Sequence, residues 1–315
     1  MKALRATKPN PTSPPTLTIT DVPIPTPSPS ELLIKIHASA IQPADILNSK
    51  GSFPHTTFPR TLGKDFSGVV IEGPSSWKGK AVFGTSGDSF SFTVDGANAD
   101  YAVVPVDAVA EKPESLSFAQ AASLGTPLST AALTLQRANV QEGDFVMVLG
   151  ATGSVGSFVM QIAKAKGCKT ISVGRHGTDV NSTTDPTLQR AKTFTNDKGP
   201  DVVVDTVGDF ALTKAAFDVL AFNGRMCFIT APRGGATTEL GVDILSLYRR
   251  QVSLVGCNSA GLSQEAMGSL LRELGPELES GALKAPGEET LGIVRLERAV
   301  EAYEGKVKKA VIVFD

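Results

Sequence analysis

Cysteine and histidine are scarce, with three of each in 315 residues. Cys168, Cys227 and Cys257 are odd in number and far apart, which argues against a disulfide framework and predicts a reducing compartment. His37, His55 and His176 are equally scattered, and no Cys-x-x-Cys or His-x-x-x-His spacing exists. A structural zinc site therefore has no visible ligand set. Charge of one sign is also lacking. The net charge of −2 offers no electrostatic footing for nucleic acid or a membrane surface, and Arg249-Arg250 and Lys308-Lys309 are too short to form a patch. No apolar run approaches the ~20 residues that span a bilayer. No long apolar segment follows Met1-Lys2-Ala3-Leu4-Arg5, so a secretory signal is not expected and the expected address is the cytoplasm.

What the chain does have is a soluble, globular composition, 41% apolar and 20% charged, and a length that suits two domains. Its most informative stretch begins at Phe145. Phe145-Val146-Met147-Val148-Leu149 reads as a strand buried on both faces. Gly150-Ala151-Thr152-Gly153-Ser154-Val155-Gly156 follows, and then Val155, Phe158, Val159 and Ile162 recur at helical spacing up to Gly167. Strand, glycine turn and helix start in succession make a phosphate cradle, because glycine lets backbone approach an anion and the first helical N–H groups face it. A tight turn without a ligand is the alternative.

Upstream, residues 9–29 hold eight of the twenty prolines, which favours extended backbone. Leu17 to Ile19, Glu31 to Ala38, Phe66 to Glu72, Lys80 to Gly84 and Tyr101 to Pro105 have strand character, with a short helix entered at Pro43. These predict an N-terminal β-rich domain. Near Ser117 the texture turns alanine-rich and helical. Beyond the glycine turn, strands at Lys169–Val173, Asp201–Asp205 and Arg225–Thr230, with a helix over Phe210–Phe222, imply a parallel α/β sheet covered on both faces. Val252–Val255 is the expected edge strand. Residues 265–280 form an amphipathic helix, another helix lies near Leu296–Tyr303, and a final strand Ala310–Phe314 is expected to return to the N-terminal domain. The expected domains are therefore 1–118 with 259–315, and 119–258.

Several phrases carry a resemblance. They are Asp21-Val22-Pro23, Ala40-Ile41-Gln42-Pro43-Ala44-Asp45, Leu62-Gly63-Lys64-Asp65-Phe66-Ser67-Gly68-Val69-Val70, Tyr101-Ala102-Val103-Val104-Pro105, Ala121-Ala122-Ser123-Leu124 and Ser129-Thr130-Ala131. The glycine turn, spaced Gly-x-x-Gly-x-x-Gly, and Gly199-Pro200-Asp201-Val202-Val203-Val204-Asp205-Thr206-Val207-Gly208 complete the set. The chain resembles, along nearly its whole length, the medium-chain dehydrogenase/reductases, in their zinc-free quinone oxidoreductase branch. The resemblance implies a GroES-like β-rich domain plus a Rossmann domain, a doubly wound parallel sheet, with a nicotinamide cofactor in the cleft between them. It implies reduction of a quinone or an activated α,β-unsaturated carbonyl. Zinc-dependent members of the superfamily carry cysteine where Gln42 stands and histidine where Lys64 stands, so a catalytic zinc and its Lewis acidity are not expected.

The cofactor has its own signature. NAD-specific folds end the second strand on Asp or Glu, which holds the ribose 2′-OH. Here that strand ends Val173-Gly174-Arg175-His176. A carboxylate would repel a 2′-phosphate, whereas a guanidinium grips it bidentately, so NADPH is expected. A solvated strand-end charge is the alternative reading of Arg175. By resemblance the cofactor-binding residues are Gln42, Thr130, Ala151, Thr152, Gly153, Ser154, Val155, Gly174, Arg175, Val207, Ala231 and Pro232. The substrate pocket is assigned to Asp45, Leu47 and Asn258, with helix capping an equal alternative for Asp45. The family's Asn is Gln at position 42, and its Tyr two residues past the Asp is Leu47.

Between Gly174 and Asp201 the chain is shorter than the family's helix, strand and helix require. The crossover helix over 175–200 is expected to be shortened or lost, leaving Leu188–Thr195 as the survivor. The sheet would survive on a connection of about a dozen residues. The adenosine side would then be more open, or be covered by another segment or a partner subunit. No His, Tyr or Lys stands out as a proton donor, and solvent is the expected source. The competing functions are a pathway-specific enoyl reductase and an NADPH-binding protein without turnover. A homodimer joined through the edge strand is expected from the resemblance.

Overall fold

The computed structural model describes every residue from Met1 to Asp315. The chain divides into two compact units, Met1–Ser129 with Ser259–Asp315, and Thr130–Asn258. In the first, β1 (Lys2–Thr7) and β2 (Thr16–Asp21) pair antiparallel from Lys2↔Asp21 to Thr7↔Thr16. The prolines between and after them stay in turns and extended backbone. β3 (Glu31–Ala40) is the hub. After α1 (Pro43–Ser49) and the short β4 (Arg60–Thr61), β5 (Asp65–Glu72) pairs with β3. β6 (Ala81–Gly84) joins β5, β7 (Tyr101–Pro105) joins β3, and β8 (Val109–Glu111) joins β6. Leu32, Ile34 and Ile36 of β3 are fully buried against Phe66, Val70 and Phe90. α2 (Phe118–Ala122) starts at Ser117, whose hydroxyl accepts the Gln120 N–H.

α2 packs on β3 and β5, which is why the first unit runs on to Ser129 rather than ending at 118. α3 (Gly125–Arg137) begins in that unit and ends in the second. There β9 (Phe145–Leu149) leads into α4 (Ser154–Ala165), and β10 (Lys169–Gly174) and β11 (Val180–Asn181) follow. After the single turn α5 (Arg190–Thr193) come β12 (Val202–Asp205), α6 (Phe210–Val219), β13 (Arg225–Phe228), α7 (Ile244–Arg249) and β14 (Ser253–Gly256). All six strands are parallel, in the order β11-β10-β9-β12-β13-β14. The order reverses beside β9, and ligands bind such sheets at the carboxyl edge where it reverses. Met147, Leu149, Ile171, Val203 and Met226 meet Ala216 and Phe217 of α6 in the core.

The crossover helix after β10 is lost, as the short spacing predicts, but the segment departs from expectation in two ways. Residues 175–179 alone link β10 to a parallel partner, Val173↔Val180 and Gly174↔Asn181. The dozen-residue requirement falls away because β11 is only two residues long. A tight loop then reaches back far enough, and Asp179 pins it by accepting the Ser172 N–H at 2.9 Å and its hydroxyl at 2.7 Å. The helix expected at Leu188–Thr195 shrinks to α5.

The chain then returns to the first unit through α8 (Gln264–Glu273) and α9 (Gly275–Glu279), two helices where one was expected over 265–280. The break falls at Leu274, because Pro276 has no N–H to donate to the Arg272 carbonyl and so cannot continue the α8 ladder, whereas it is tolerated in the first turn of α9. β15 (Gly292–Arg295), α10 (Ala299–Tyr303) and β16 (Ala310–Val313) complete the chain. β16 pairs antiparallel with β3 through Val311↔Ala40 to Val313↔Ala38. The second unit is thus inserted between two parts of the first. No helix is long and apolar enough to cross a membrane.

Candidate functional site

At the carboxyl edge of β9 the backbone turns on Gly150, whose φ of +77° is a conformation that side chains disfavour. A Cβ there would stand 2.6 Å from Thr206 Oγ1. Gly156 serves packing: its Cβ would lie 2.3 Å from the Gly150 carbonyl oxygen, so only glycine lets α4 sit this close to the turn. Gly153 differs from both. It caps α4 with no side-chain hydrogen bond, and an added Cβ would meet only the Gly150 oxygen, at 3.2 Å. The first N–H groups of α4 therefore have no side-chain cap and lie next to bare backbone, as an anion cradle requires.

The cradle opens on a cavity of about 770 Å³. Gly150, Thr152 and Gly153 line it on one side, and Gly174 and Arg175, where β10 ends, line another. Arg175 is exposed. Thr206, Val207 and Asp209 come from the β12–α6 turn. Asp205 builds that turn, its buried carboxylate accepting the N–H groups of Val207 (2.8 Å) and Gly208 (3.0 Å) and the Thr213 hydroxyl (2.6 Å). Asp209 accepts the Leu212 N–H at 3.0 Å and so caps α6.

Of the residues expected to bind cofactor, the fold brings Thr152, Gly153, Gly174, Arg175 and Val207 onto this one cavity. Ala151 is buried within the turn, and Ser154 and Val155 open α4. Ala231 and Pro232 lie past β13, where the Ala231 carbonyl group approaches Gly208 so closely that a Cβ there would meet it at 2.9 Å. Thr130 is buried on α3, where its carbonyl oxygen accepts the Thr134 hydroxyl at 2.6 Å. Asn258 is exposed at the end of the second unit. Ser182, Pro186, Ala211 and Leu212 also line the cavity and escaped sequence reasoning. Leu212 had a local signal, the Asp209 cap three residues earlier.

In the first unit, Gln42, Asp45 and Leu47 surround the start of α1. Asp45 accepts the Gln42 N–H at 2.9 Å, the capping role, while its Oδ1 has no partner although the residue is fully buried. The Gln42 side chain donates to Asp65 Oδ2 at 2.9 Å. Asp65 also accepts the hydroxyls of Thr85 (2.5 Å) and Thr126 (2.6 Å). Lys64 is buried, its ammonium 4.2 Å from the Phe92 ring centre and 5.2 Å from that of Phe53. Burial pushes the Asp45 carboxyl up to about 7, with Lys64 opposing and Asp65 adding to the rise. Burial likewise lowers Lys64, against the pull of the two carboxylates. Leu47 is half-buried beside them.

Residues 28–114 match the alcohol dehydrogenase GroES-like domain and residues 154–274 the zinc-binding dehydrogenase family. A zinc-type alcohol dehydrogenase-like protein of Schizosaccharomyces pombe is 43% identical over 285 residues, covering 90% of this chain and 87% of its own. The chain belongs to the medium-chain dehydrogenase/reductase superfamily, in its quinone oxidoreductase branch. The 2-methylene-furan-3-one reductase of Solanum lycopersicum is 32% identical, over 87% of this chain and 68% of its own. The quinone oxidoreductase of Homo sapiens is 27% identical, over 87% and 84%. An alcohol dehydrogenase superfamily protein from Novosphingobium aromaticivorans superposes with a TM-score of 0.84 at 25% identity over 100% of both chains. The superfamily places a nicotinamide cofactor on its glycine turn, and the uncapped α4 and the clearance at Gly153 fit a dinucleotide's diphosphate. The zinc implied by the second family's description does not fit. No three His, Cys, Asp or Glu side chains come together, and Gln42 and Lys64 present an amide and an ammonium.

Proposed function

We propose that this medium-chain reductase uses NADPH to deliver hydride to a quinone or an activated α,β-unsaturated carbonyl, without zinc. The observation that carries the reading is Arg175, on the rim of the cavity that the glycine cradle opens, with no carboxylate at the end of β10. A guanidinium there pairs with the 2′-phosphate that distinguishes NADPH. When bound, the cofactor supplies the hydride. The chain's own part is to hold the diphosphate on the N–H groups of α4, with Thr152 and Gly153 at its side, and to keep α6 in place through Asp205 and Asp209. Two relatives, one named for a quinone and one for an enone, support the acceptor class.

Steady oxidation of NADPH by a panel of quinones, enones and aldehydes tests the proposal. We expect turnover with quinones or enones, NADPH preferred over NADH, and no loss of rate after dialysis against a zinc chelator. Oxidation of NADPH by no acceptor, or abolition by the chelator, would refute it. Turnover restricted to one enone would identify a pathway-specific enoyl reductase instead.

The active form is read as a homodimer. β14 pairs only with β13 and leaves its outer edge open, with Leu254 41% exposed and Ile244, Leu245 and Tyr248 of α7 exposed nearby. An uncovered apolar edge invites pairing with a second copy. All three cysteines are free, which accords with a cytoplasmic setting.

A further inference from the structure

We propose that the strap from Val180 to Arg190 is the adenosine wall of the cofactor cavity, and that Ser182 on it selects for the 2′-phosphate together with Arg175. This rests on reading the cradle as a dinucleotide site.

The topology puts the two residues side by side. β11 runs parallel to β10 with Gly174 opposite Asn181, so the residues that follow them, Arg175 and Ser182, leave the sheet at the same edge. Ser182 N–H donates to the Gly174 carbonyl at 2.9 Å, which fixes its backbone beside the strand end. Its hydroxyl donates to the same oxygen at 3.3 Å, a long bond that an anion in the cavity would readily replace. Both residues line the cavity.

The strap is a built wall. Asp185 accepts the N–H groups of Arg190 at 2.9 Å and Gln189 at 3.3 Å, and its own N–H donates to the Asn181 carbonyl at 2.8 Å. Leu188 is fully buried in the core beneath the sheet. Between these anchors Pro186 presents an exposed ring to the cavity, and Leu212 contributes apolar surface from α6. Two apolar surfaces lining one cavity suit the faces of a purine. Asp209, the acid on the cavity wall, accepts the Leu212 N–H in capping α6, and Arg175 is the one cation among the residues that line the cavity.

Calorimetric titration of the full chain with 2′,5′-ADP and with 5′-AMP tests this. The parent protein should prefer 2′,5′-ADP. Ser182→Ala should weaken 2′,5′-ADP about tenfold, the loss of one hydrogen bond to a charged group, and leave 5′-AMP within about twofold. Ser182→Asp should weaken it further by setting a carboxylate against the phosphate, and Pro186→Gly should weaken both nucleotides by the same factor. Melting curves establish that each variant folds. Unchanged 2′,5′-ADP binding in both Ser182 variants, or equal losses for the two nucleotides, would overturn the assignment and leave the dinucleotide reading intact. A parent protein that binds neither nucleotide would overturn both.

Discussion

At the scale of single residues, two charges set out the chemistry. Arg175 is exposed at a cavity rim, so its removal has little structural cost, and any loss should fall on the ligand. Arg175→Ala is expected to weaken NADPH binding by about 1.5–3 kcal/mol, the range for a hydrogen bond to a charged group, and to spare NADH. Equal losses in a fluorescence titration of the two cofactors would count against the assignment. Asp45 is the opposite case, a fully buried carboxyl raised to about 7 chiefly by burial. An unfolded chain releases that proton near pH ~3.9. Between there and about 7 the native state holds a proton that the unfolded state has lost. Its stabilising contribution is complete below the unfolded value and is lost as pH rises through the native one. Asp45→Asn still accepts the Gln42 N–H but cannot ionise. Its urea midpoint should gain on the parent's steadily from pH ~4 to ~7. A gap that stays constant over that window would rule out Asp45 as the titrating group.

At the scale of elements, the turn from β9 into α4 separates two uses of glycine. Gly156 has no room for a Cβ, since the Gly150 oxygen would stand 2.3 Å away, so Gly156→Ala must push α4 off the turn. Denaturant unfolding should show a loss of about 1–3 kcal/mol, the range for overpacking. Gly153→Ala meets a single contact at 3.2 Å and should keep most of the stability. On the proposed reading it should lose NADP⁺ affinity, because the methyl group would intrude on the proposed diphosphate site. Equal effects of the two substitutions on unfolding would contradict this division. The turn was legible beforehand because its signals are local: an apolar run, glycines and a helical period within one stretch. The strap was not. Loss of the crossover helix followed from the short spacing, but Ser182 and Pro186 reach the cavity only because β11 is a two-residue strand reached by a tight loop. No periodicity announces a strand of that length.

At the scale of the whole molecule, the return of β16 to β3 makes the first unit from the two ends of the chain. The β14 edge is where a second copy is expected. Leu254→Lys places a charge on that edge at an exposed position, and light scattering should then report a monomer whose melting curve stays close to the parent's. A dimer that persists in the variant would place the seam elsewhere.

The sequence by itself determined the two-part architecture, the strand, glycine turn and helix that run from β9 into α4, and the positive charge at the end of β10. Each depends on residues close together in the chain or on the identity of one side chain. Tertiary structure alone decided that Asp65 gathers Gln42, Thr85 and Thr126, that Asp45 is buried with an oxygen unpartnered, and that the strap walls the cavity. Burial and long-range pairing set those features, and neither has a period that a linear reading can detect.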